Sequence, residues 1–187
     1  MRLLFLLAAL AGVGVSIALH GPLSSVPLLV SAGLSVVAVL VFVVGRRSRE
    51  VTPWIVIDGS NVMYWDGDRP SLMTVRAVLR AVEGEGFVPL VWFDANAGYL
   101  TQGGYLRPEQ FSRMLGLRRS QVMVAPKGVP ADPLLLAEAV RIGARVITND
   151  RFRDWAEVHP SVREAGFLVG GGVRDGVVAL RLGEGVA

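Results

Sequence analysis

The chain has 187 residues, of which 52% are hydrophobic, and it carries a formal net charge of +3. It contains no cysteine, which excludes disulfides, zinc–thiolate sites, cysteine nucleophiles and any disulfide-linked partner, and which fits a reducing compartment. The small net charge does not by itself indicate nucleic-acid binding.

The hydrophobic residues concentrate at the N-terminus, where residues 3–45 contain no Asp, Glu, Lys or Arg. Two apolar runs, Leu3–Leu19 and Leu23–Gly45, are separated by the sequence His20-Gly21-Pro22. Each run approaches the roughly 20 residues that cross a bilayer as a helix. We therefore predict a two-helix transmembrane anchor over residues 1–46. The alternative is a cleaved signal peptide followed by a single transmembrane helix.

Arginines flank the predicted anchor and predict its orientation. Arg46, Arg47 and Arg49 follow the second run, and Arg2 precedes the first. Because basic residues favour the cytoplasmic side, a hairpin with both ends inside satisfies all four. We predict a multi-pass protein of the inner (plasma) membrane, in contact with the lipid bilayer. A linker over residues 47–52 would then join the anchor to a cytoplasmic domain over residues 53–187.

In the predicted domain, short apolar runs alternate with segments of helical periodicity. We predict strands at Pro53–Asp58, Val88–Asp94, Val122–Val124 and Arg145–Thr148. We predict helices at Ser71–Val82, Pro108–Leu115, Asp132–Ile142 and Arg151–Val158. Two last strands, Phe167–Val169 and Val177–Leu182, are predicted to form a hairpin. The alternation predicts an α/β domain, with a mostly parallel sheet and helices on both faces.

Aspartates recur where the predicted strands end. Asp58, Asp94 and Asp150 follow the first, second and fourth strands. Asp132 opens the helix that comes after the third strand, and Asp154 lies four residues beyond Asp150. Ligands of open parallel sheets bind at the carboxyl ends of the strands, so these carboxylates should converge. Several carboxylates in one crevice stay ionised only beside a cation, and oxygen ligands favour Mg²⁺ or Mn²⁺.

Each aspartate also has a structural explanation. Asp132 and Asp150 are suited to cap helix N-termini, and Asp94 is suited to a turn. Asn61 could simply shape the loop after Asp58. Because these carboxylates coincide at one sheet edge, we interpret them together as a functional set.

Three motifs carry a family resemblance. Ile57-Asp58-Gly59-Ser60-Asn61-Val62 resembles the first motif of NYN-domain, PIN-like ribonucleases of the regnase type. Ala131-Asp132-Pro133 is similar to their central acidic motif, and Thr148-Asn149-Asp150-Arg151-Phe152-Arg153-Asp154 is similar to their Ser-Asn-Asp-x-x-x-Asp signature. The resemblance covers roughly Trp54 to Leu182 and implies a PIN-like fold.

The resemblance also implies an activity, that of a metal-dependent endoribonuclease. It implies that Mg²⁺ (or Mn²⁺) and its attacking water are held by an acidic tetrad of Asp58, Asp132, Asp150 and Asp154. Asn61 would assist from the first loop. The chain departs from the family at Ala131, where an acid is common, and we therefore expect one metal ion rather than two.

Candidate contacts with an RNA substrate lie around the same loops. Lys127, Arg151 and Arg153 are candidates for binding phosphates, and Tyr64 for stacking on a base. A solvated surface for the three basic residues, and packing for the tyrosine, are the alternatives.

The sequence thus favours a membrane-anchored, Mg²⁺-dependent ribonuclease. The alternative is a catalytically weak, membrane-tethered RNA-binding module, which Ala131 motivates. A phosphohydrolase of the haloacid dehalogenase type fits poorly, because Ser60 stands where that class has a second Asp. The RNA target and the oligomeric state are left open.

Overall fold

A computed structural model of the chain describes residues 53–183, which belong to the unit Thr52–Ala187. The strands are β1 (Trp54–Asp58), β2 (Val88–Phe93), β3 (Val122–Val124), β4 (Arg145–Ile147), β5 (Leu168–Val169), β6 (Gly171–Arg174) and β7 (Val177–Leu180). The helices are α1 (Gly59–Val62), α2 (Leu72–Gly84), α3 (Ala97–Gln102), α4 (Pro108–Leu115) and α5 (Ala131–Ile142). Short 3-10 turns cover Arg119–Gln121, Arg153–Trp155 and Pro160–Arg163.

Five of the strands form a parallel sheet in the order β3-β2-β1-β4-β5. The central strand β1 pairs with β2 on one side and with β4 on the other, with Ile57 opposite both Val91 and Ile147. β6 and β7 form a separate antiparallel hairpin. The predicted α/β class, with a mostly parallel sheet flanked by helices, is confirmed.

Alternate residues of β1 supply two hydrophobic layers, as the two-residue period of a strand requires. Ile55 and Ile57 face a core formed with α1, α2, α4 and the hairpin. Val56 faces a second core, in which Leu135 and Leu136 of α5 pack against the sheet. The sheet is therefore covered on both faces, and polar chemistry is restricted to its edges.

In helix α2, the local sequence determines where the helix begins and which face is buried. The Ser71 hydroxyl oxygen accepts the backbone N–H of Met73 at 3.2 Å, which caps the first turn. Val75, Val78 and Val82 then recur at helical spacing and are fully buried.

Two predicted elements were wrong. Residues 151–158 do not form a helix, because Asp150 Oδ1 accepts the backbone N–H of Phe152, which adopts a left-handed conformation (φ 47°). A single 3-10 turn follows instead. The predicted pairing of Phe167–Val169 with Val177–Leu182 was also wrong. Leu168–Val169 joins the parallel sheet beside β4, and β7 pairs with the glycine-containing strand Gly171–Arg174.

Across residues 53–183, no helix combines the length and the apolar character needed to cross a membrane. The predicted transmembrane anchor over residues 1–46 and the linker over 47–52 lie outside the described residues, as do residues 184–187.

Candidate active site

The strand order places a crevice at the carboxyl edge of the sheet. β1 connects onward to β2 on one side, whereas β4 lies on the other side, so the loops leaving β1 and β4 diverge. Such a switch point is where ligands bind in open parallel sheets. Four aspartates lie around it and interact electrostatically: Asp58 ends β1, Asp94 follows β2, Asp132 is in the first turn of α5, and Asp150 follows β4. We call these four residues the acidic crevice.

Asp58 is the most deeply buried of the four, with 7% of its surface exposed. One carboxylate oxygen accepts the backbone N–H of Asn61 at 3.0 Å, and the other accepts the hydroxyl of Thr148 at 3.0 Å. Burial raises the pKa of Asp58 from 3.8 to about 7 despite these two hydrogen bonds, which lower it. The charges of Asp132 and Asp94 make a smaller contribution to the same rise in pKa. Near neutral pH, Asp58 is therefore poised between its two protonation states.

Asp132 is partly buried at the start of α5. Its Oδ2 accepts the indole N–H of Trp155 at 3.3 Å, which fixes the side chain from the neighbouring turn. Burial raises the pKa of Asp132, the Trp155 hydrogen bond lowers it, and the charges of Asp94 and Asp150 raise it again. Asp132 is therefore a stronger base than an exposed carboxylate.

Asp94 joins the elements on either side of the crevice. Its backbone N–H donates to the Ser60 hydroxyl oxygen at 2.8 Å, and its Oδ1 accepts the backbone N–H of Ala131 at 3.2 Å. The second contact caps α5 from outside, because the first N–H groups of a helix have no partner within it. Asp94 lies at the sheet edge, as its sequence position predicts, but it is not among the predicted metal ligands. The signal was its position directly after a buried strand.

Asp150 lies in a tight turn after β4. Its backbone N–H donates to the hydroxyl oxygen of Thr148 at 3.0 Å, and its Oδ1 accepts the N–H of Phe152 at 2.8 Å. The same Thr148 hydroxyl donates to Asp58, so it connects two aspartates of the crevice. Thr148 was not among the predicted site residues, although it occupies the first position of the last motif.

Asn61 holds the first and last motifs together. Its side-chain oxygen accepts the indole N–H of Trp65 at 2.8 Å and the backbone N–H of Asn149 at 3.0 Å. Gly59, two residues earlier, is also required, because a Cβ at this position would lie 2.5 Å from a ring carbon of Phe93. Asn61 is therefore a positioning residue in this geometry, since its side-chain oxygen is used by the protein itself.

The remaining predicted site residues are exposed. Asp154 lies in the 3-10 turn after β4 and is not among the residues whose charges raise the pKa of Asp58 or Asp132. Arg151 and Arg153 are exposed around the same turn. Tyr64 is 40% exposed after α1, and Lys127 is exposed in the loop between β3 and α5.

An anionic substrate can bind in the crevice only if a cation balances the negative charge of the four aspartates. Among residues 53–183, no three His, Cys, Asp or Glu side chains are grouped as direct ligands of one metal ion. The four aspartates nevertheless lie close enough for their charges to raise the pKa of Asp58 and Asp132. Their carboxylate oxygens are the kind of hard donor that Mg²⁺ and Mn²⁺ prefer.

Solved structures with a similar fold include two of Arabidopsis thaliana nuclear protein-only RNase P 2 (PRORP2). One is 16% identical with a TM-score of 0.54 and covers 78% of this chain and 34% of that chain. The other is 15% identical with a TM-score of 0.52 and covers 93% of this chain and 36% of that chain. At these identities the likeness shows the fold, and the chain spans about a third of the length of either structure. No curated protein sequence matches the chain.

A family model supplies the more specific relationship. The model described as Zc3h12a-like ribonuclease NYN domain matches residues 52–166, which is more than half of the chain. The match includes all three motifs and the four aspartates of the acidic crevice. It agrees with the resemblance to NYN-domain ribonucleases that the sequence motifs carry. The chain belongs to the Zc3h12a-like ribonuclease NYN domain family.

Proposed function

We propose that the chain is a metal-dependent ribonuclease that hydrolyses RNA within the strand at the acidic crevice. The observation that carries the proposal is the buried Asp58, whose pKa rises to about 7 beside Asp94 and Asp132. Burying a carboxylate among others is unfavourable, and the fold would not be expected to keep it without a chemical use. Because the chain belongs to a ribonuclease family, we propose that this chemical use is the cleavage of RNA.

The proposed cofactor is a single Mg²⁺ or Mn²⁺ ion. The crevice offers hard carboxylate oxygens and no thiolate or imidazole, which is the donor chemistry that these ions prefer. Asp58 and Asp150 would hold the ion, directly or through water, with Asp94 and Asp132 beside them. When bound, the ion supplies positive charge that stabilises the scissile phosphate in the transition state and lowers the pKa of water.

The protein side chains have separate roles in this proposal. Asp132 would orient the attacking water and take its proton at Oδ1, the oxygen that does not accept the indole N–H of Trp155. The raised pKa of Asp132 suits it to this role at neutral pH. Asn61 holds Asn149 and so keeps the last motif against the first. Asp154 remains in the proposed site on the strength of its motif.

Asp94 supplies a carboxylate where the central motif lacks one. Ala131 stands where the resemblance leads us to expect an acid, and its backbone N–H lies 3.2 Å from Asp94 Oδ1. The carboxylate of Asp94, which directly follows β2, thus contacts the first turn of α5. An Asp94→Asn variant keeps an oxygen for the Ala131 N–H and removes the charge. We expect it to lose RNA cleavage while keeping the parent's stability.

Lys127, Arg151 and Arg153 are proposed to bind phosphates of the RNA, and Tyr64 to contact a base. All four are exposed around the loops that border the crevice. Exposed basic side chains near a site of negative charge allow a polyanion to approach it.

The chain is further proposed to be held at the inner face of the plasma membrane by residues 1–46. The support is the lack of charged residues over positions 3–45 and the arginines at 46, 47 and 49. When the full chain is produced in bacteria, alkaline carbonate should leave it in the membrane pellet. Protease should digest residues 53–183 in inverted vesicles and not in intact spheroplasts. Release by carbonate, or digestion from outside, would contradict the anchor or its orientation.

The activity is tested with the full chain purified in mild detergent. It is incubated with single-stranded RNA and with DNA of the same sequence, in Mg²⁺, Mn²⁺ or EDTA. We expect RNA cleavage in either metal, none in EDTA, and none with Asp58→Asn. The matched control is Asp68→Asn, which removes an exposed carboxylate outside the crevice and should cleave like the parent.

Two outcomes would overturn the proposal. Cleavage that is unchanged in EDTA would contradict the metal. RNA binding by the parent without any cleavage would favour the second candidate, a catalytically weak RNA-binding module, which Ala131 motivates.

A further inference from the structure

A cleft opens beside the acidic crevice, and its two tyrosines have no role in the chemistry described above. It has a volume of about 840 Å³ and lies between α3 and the loop that joins β3 to α5. Its lining includes Asp94, Asn96, Tyr99, Tyr105 and Lys127. We propose that this tyrosine cleft binds an unpaired nucleotide of the RNA next to the scissile phosphate, with its base stacked on Tyr99 or Tyr105. The inference rests on the proposed function and adds single-stranded RNA as its substrate class.

Asp94 makes the cleft and the crevice continuous. It lines the cleft, and its charge raises the pKa of both Asp58 and Asp132. A nucleotide in the cleft would therefore lie beside the acidic crevice. The volume falls within the range of about 300–1,000 Å³ that is usual for small-ligand pockets, which suits a nucleotide better than a duplex.

The two tyrosines have the exposure that stacking requires. Tyr99 is 59% exposed and Tyr105 is 50% exposed, so neither ring is used to fill the core. Base–aromatic stacking tolerates any base, because every base has a π-face. Within a duplex the same faces are covered by neighbouring bases. The cleft should therefore prefer single strands.

The segment that carries both tyrosines is held in place by a close backbone contact. A Cβ at Gly98 would lie 2.5 Å from the carbonyl oxygen of Gly104 and 2.6 Å from the backbone nitrogen of Leu106. The hydroxyl of Thr101 also donates to the carbonyl of Ala97 at 2.8 Å, within the same short helix. Such preorganisation reduces the entropy lost when a ligand binds.

Charge within the cleft is arranged for a nucleotide rather than for an apolar peptide. Lys127 lies in the loop opposite α3 and can bind a phosphate as a point charge. Asn96 is exposed beside Tyr99 and offers both a donor and an acceptor to a base edge.

The test measures binding apart from cleavage. Fluorescence anisotropy of a labelled single-stranded RNA is followed in EDTA with the full chain and with Tyr99→Ala and Tyr105→Ala. We expect at least one of the two variants to raise Kd by about 5- to 100-fold, as loss of one stacked base would do. Tyr99→Phe and Tyr105→Phe keep the ring and should keep the parent's Kd. Leu100→Ala, an exposed neighbour on the same helix, is the matched control and should also leave Kd unchanged.

The outcomes separate this inference from the proposed function. If the parent cleaves RNA in an Asp58-dependent way but neither Tyr→Ala variant changes Kd or KM, the tyrosine cleft is refuted and the ribonuclease stands. If the variants weaken binding and the parent never cleaves, the cleft stands and the catalysis fails. Equal losses on single-stranded and duplex RNA, or equal losses for Phe and Ala, would refute stacking. Circular dichroism of each variant excludes unfolding as the cause.

Discussion

Replacing Asp58 with Asn should stabilise the fold in the absence of metal while abolishing cleavage. Burial raises the pKa of Asp58 from 3.8 to about 7, so the folded protein disfavours the ionised form. Below about pH 4 the group is protonated in both the folded and the unfolded chain, and it imposes no penalty. As the pH rises from about 4 to 7, the unfolded chain releases the proton more readily, and the penalty grows. Above pH 7 the penalty is constant.

The size of the gain in free energy of unfolding follows from the pKa shift of Asp58. A difference of about 3 pKa units, at 1.36 kcal/mol per unit, corresponds to about 4 kcal/mol at pH 8 and to about 1–2 kcal/mol at pH 5. Asn has nearly the same shape and can keep both contacts. Its oxygen can accept the Asn61 N–H, and its amide can donate to the Thr148 hydroxyl oxygen. We therefore expect Asp58→Asn to gain most of this free energy at pH 8.

The assay is urea unfolding of the full chain in EDTA, followed by tryptophan fluorescence at pH 5 and pH 8. All four tryptophans lie within residues 53–183, so the signal reports on that part of the chain. Asp68→Asn, the exposed control, should change the free energy of unfolding little at either pH. The reasoning would be refuted if Asp58→Asn were no more stable than the parent at pH 8, or if its advantage were equal at both values.

Three further predictions concern the positioning of the site. Gly59→Ala should lower the free energy of unfolding by about 1–3 kcal/mol in urea, because its Cβ would contact the Phe93 ring; an unchanged value would contradict this. Thr148→Val removes a hydrogen bond that lowers the pKa of Asp58, so the midpoint of the pH–rate profile should move to higher pH, whereas Thr148→Ser should not move it. Asn61→Ala should reduce kcat more than it raises KM, because the last motif loses its anchor; a change in KM alone would contradict this role.

Much of the fold could be predicted because it is encoded locally. The apolar run before Asp58, and the helical spacing in residues 72–84 and 108–115, are set by burial of neighbouring residues. The same logic placed Asp58 and Asp150 at the carboxyl edge, since parallel strands end together. The family motifs added the roles of the acidic tetrad and of Asn61, and the candidate RNA contacts came from the position of their loops.

The parts that could not be predicted depend on partners distant in the sequence. The Ala131 N–H is 37 residues from Asp94, and the Thr148 hydroxyl is 90 residues from Asp58. Neither contact has a periodic signal. The predicted helix after Asp150 failed for the opposite reason, since one local side-chain hydrogen bond to Phe152 outweighed helical periodicity.

The most direct test of the central claim is the chemistry of the cut ends. If the carboxylates of the acidic crevice activate water, RNA cleaved in Mg²⁺ should carry no 2′,3′-cyclic phosphate, and Asp58→Asn should yield no product. Mass spectrometry of the fragments, within the first turnover, distinguishes the two routes. Cyclic phosphate ends formed by the parent would show attack by the 2′-hydroxyl and would contradict hydrolysis at this crevice.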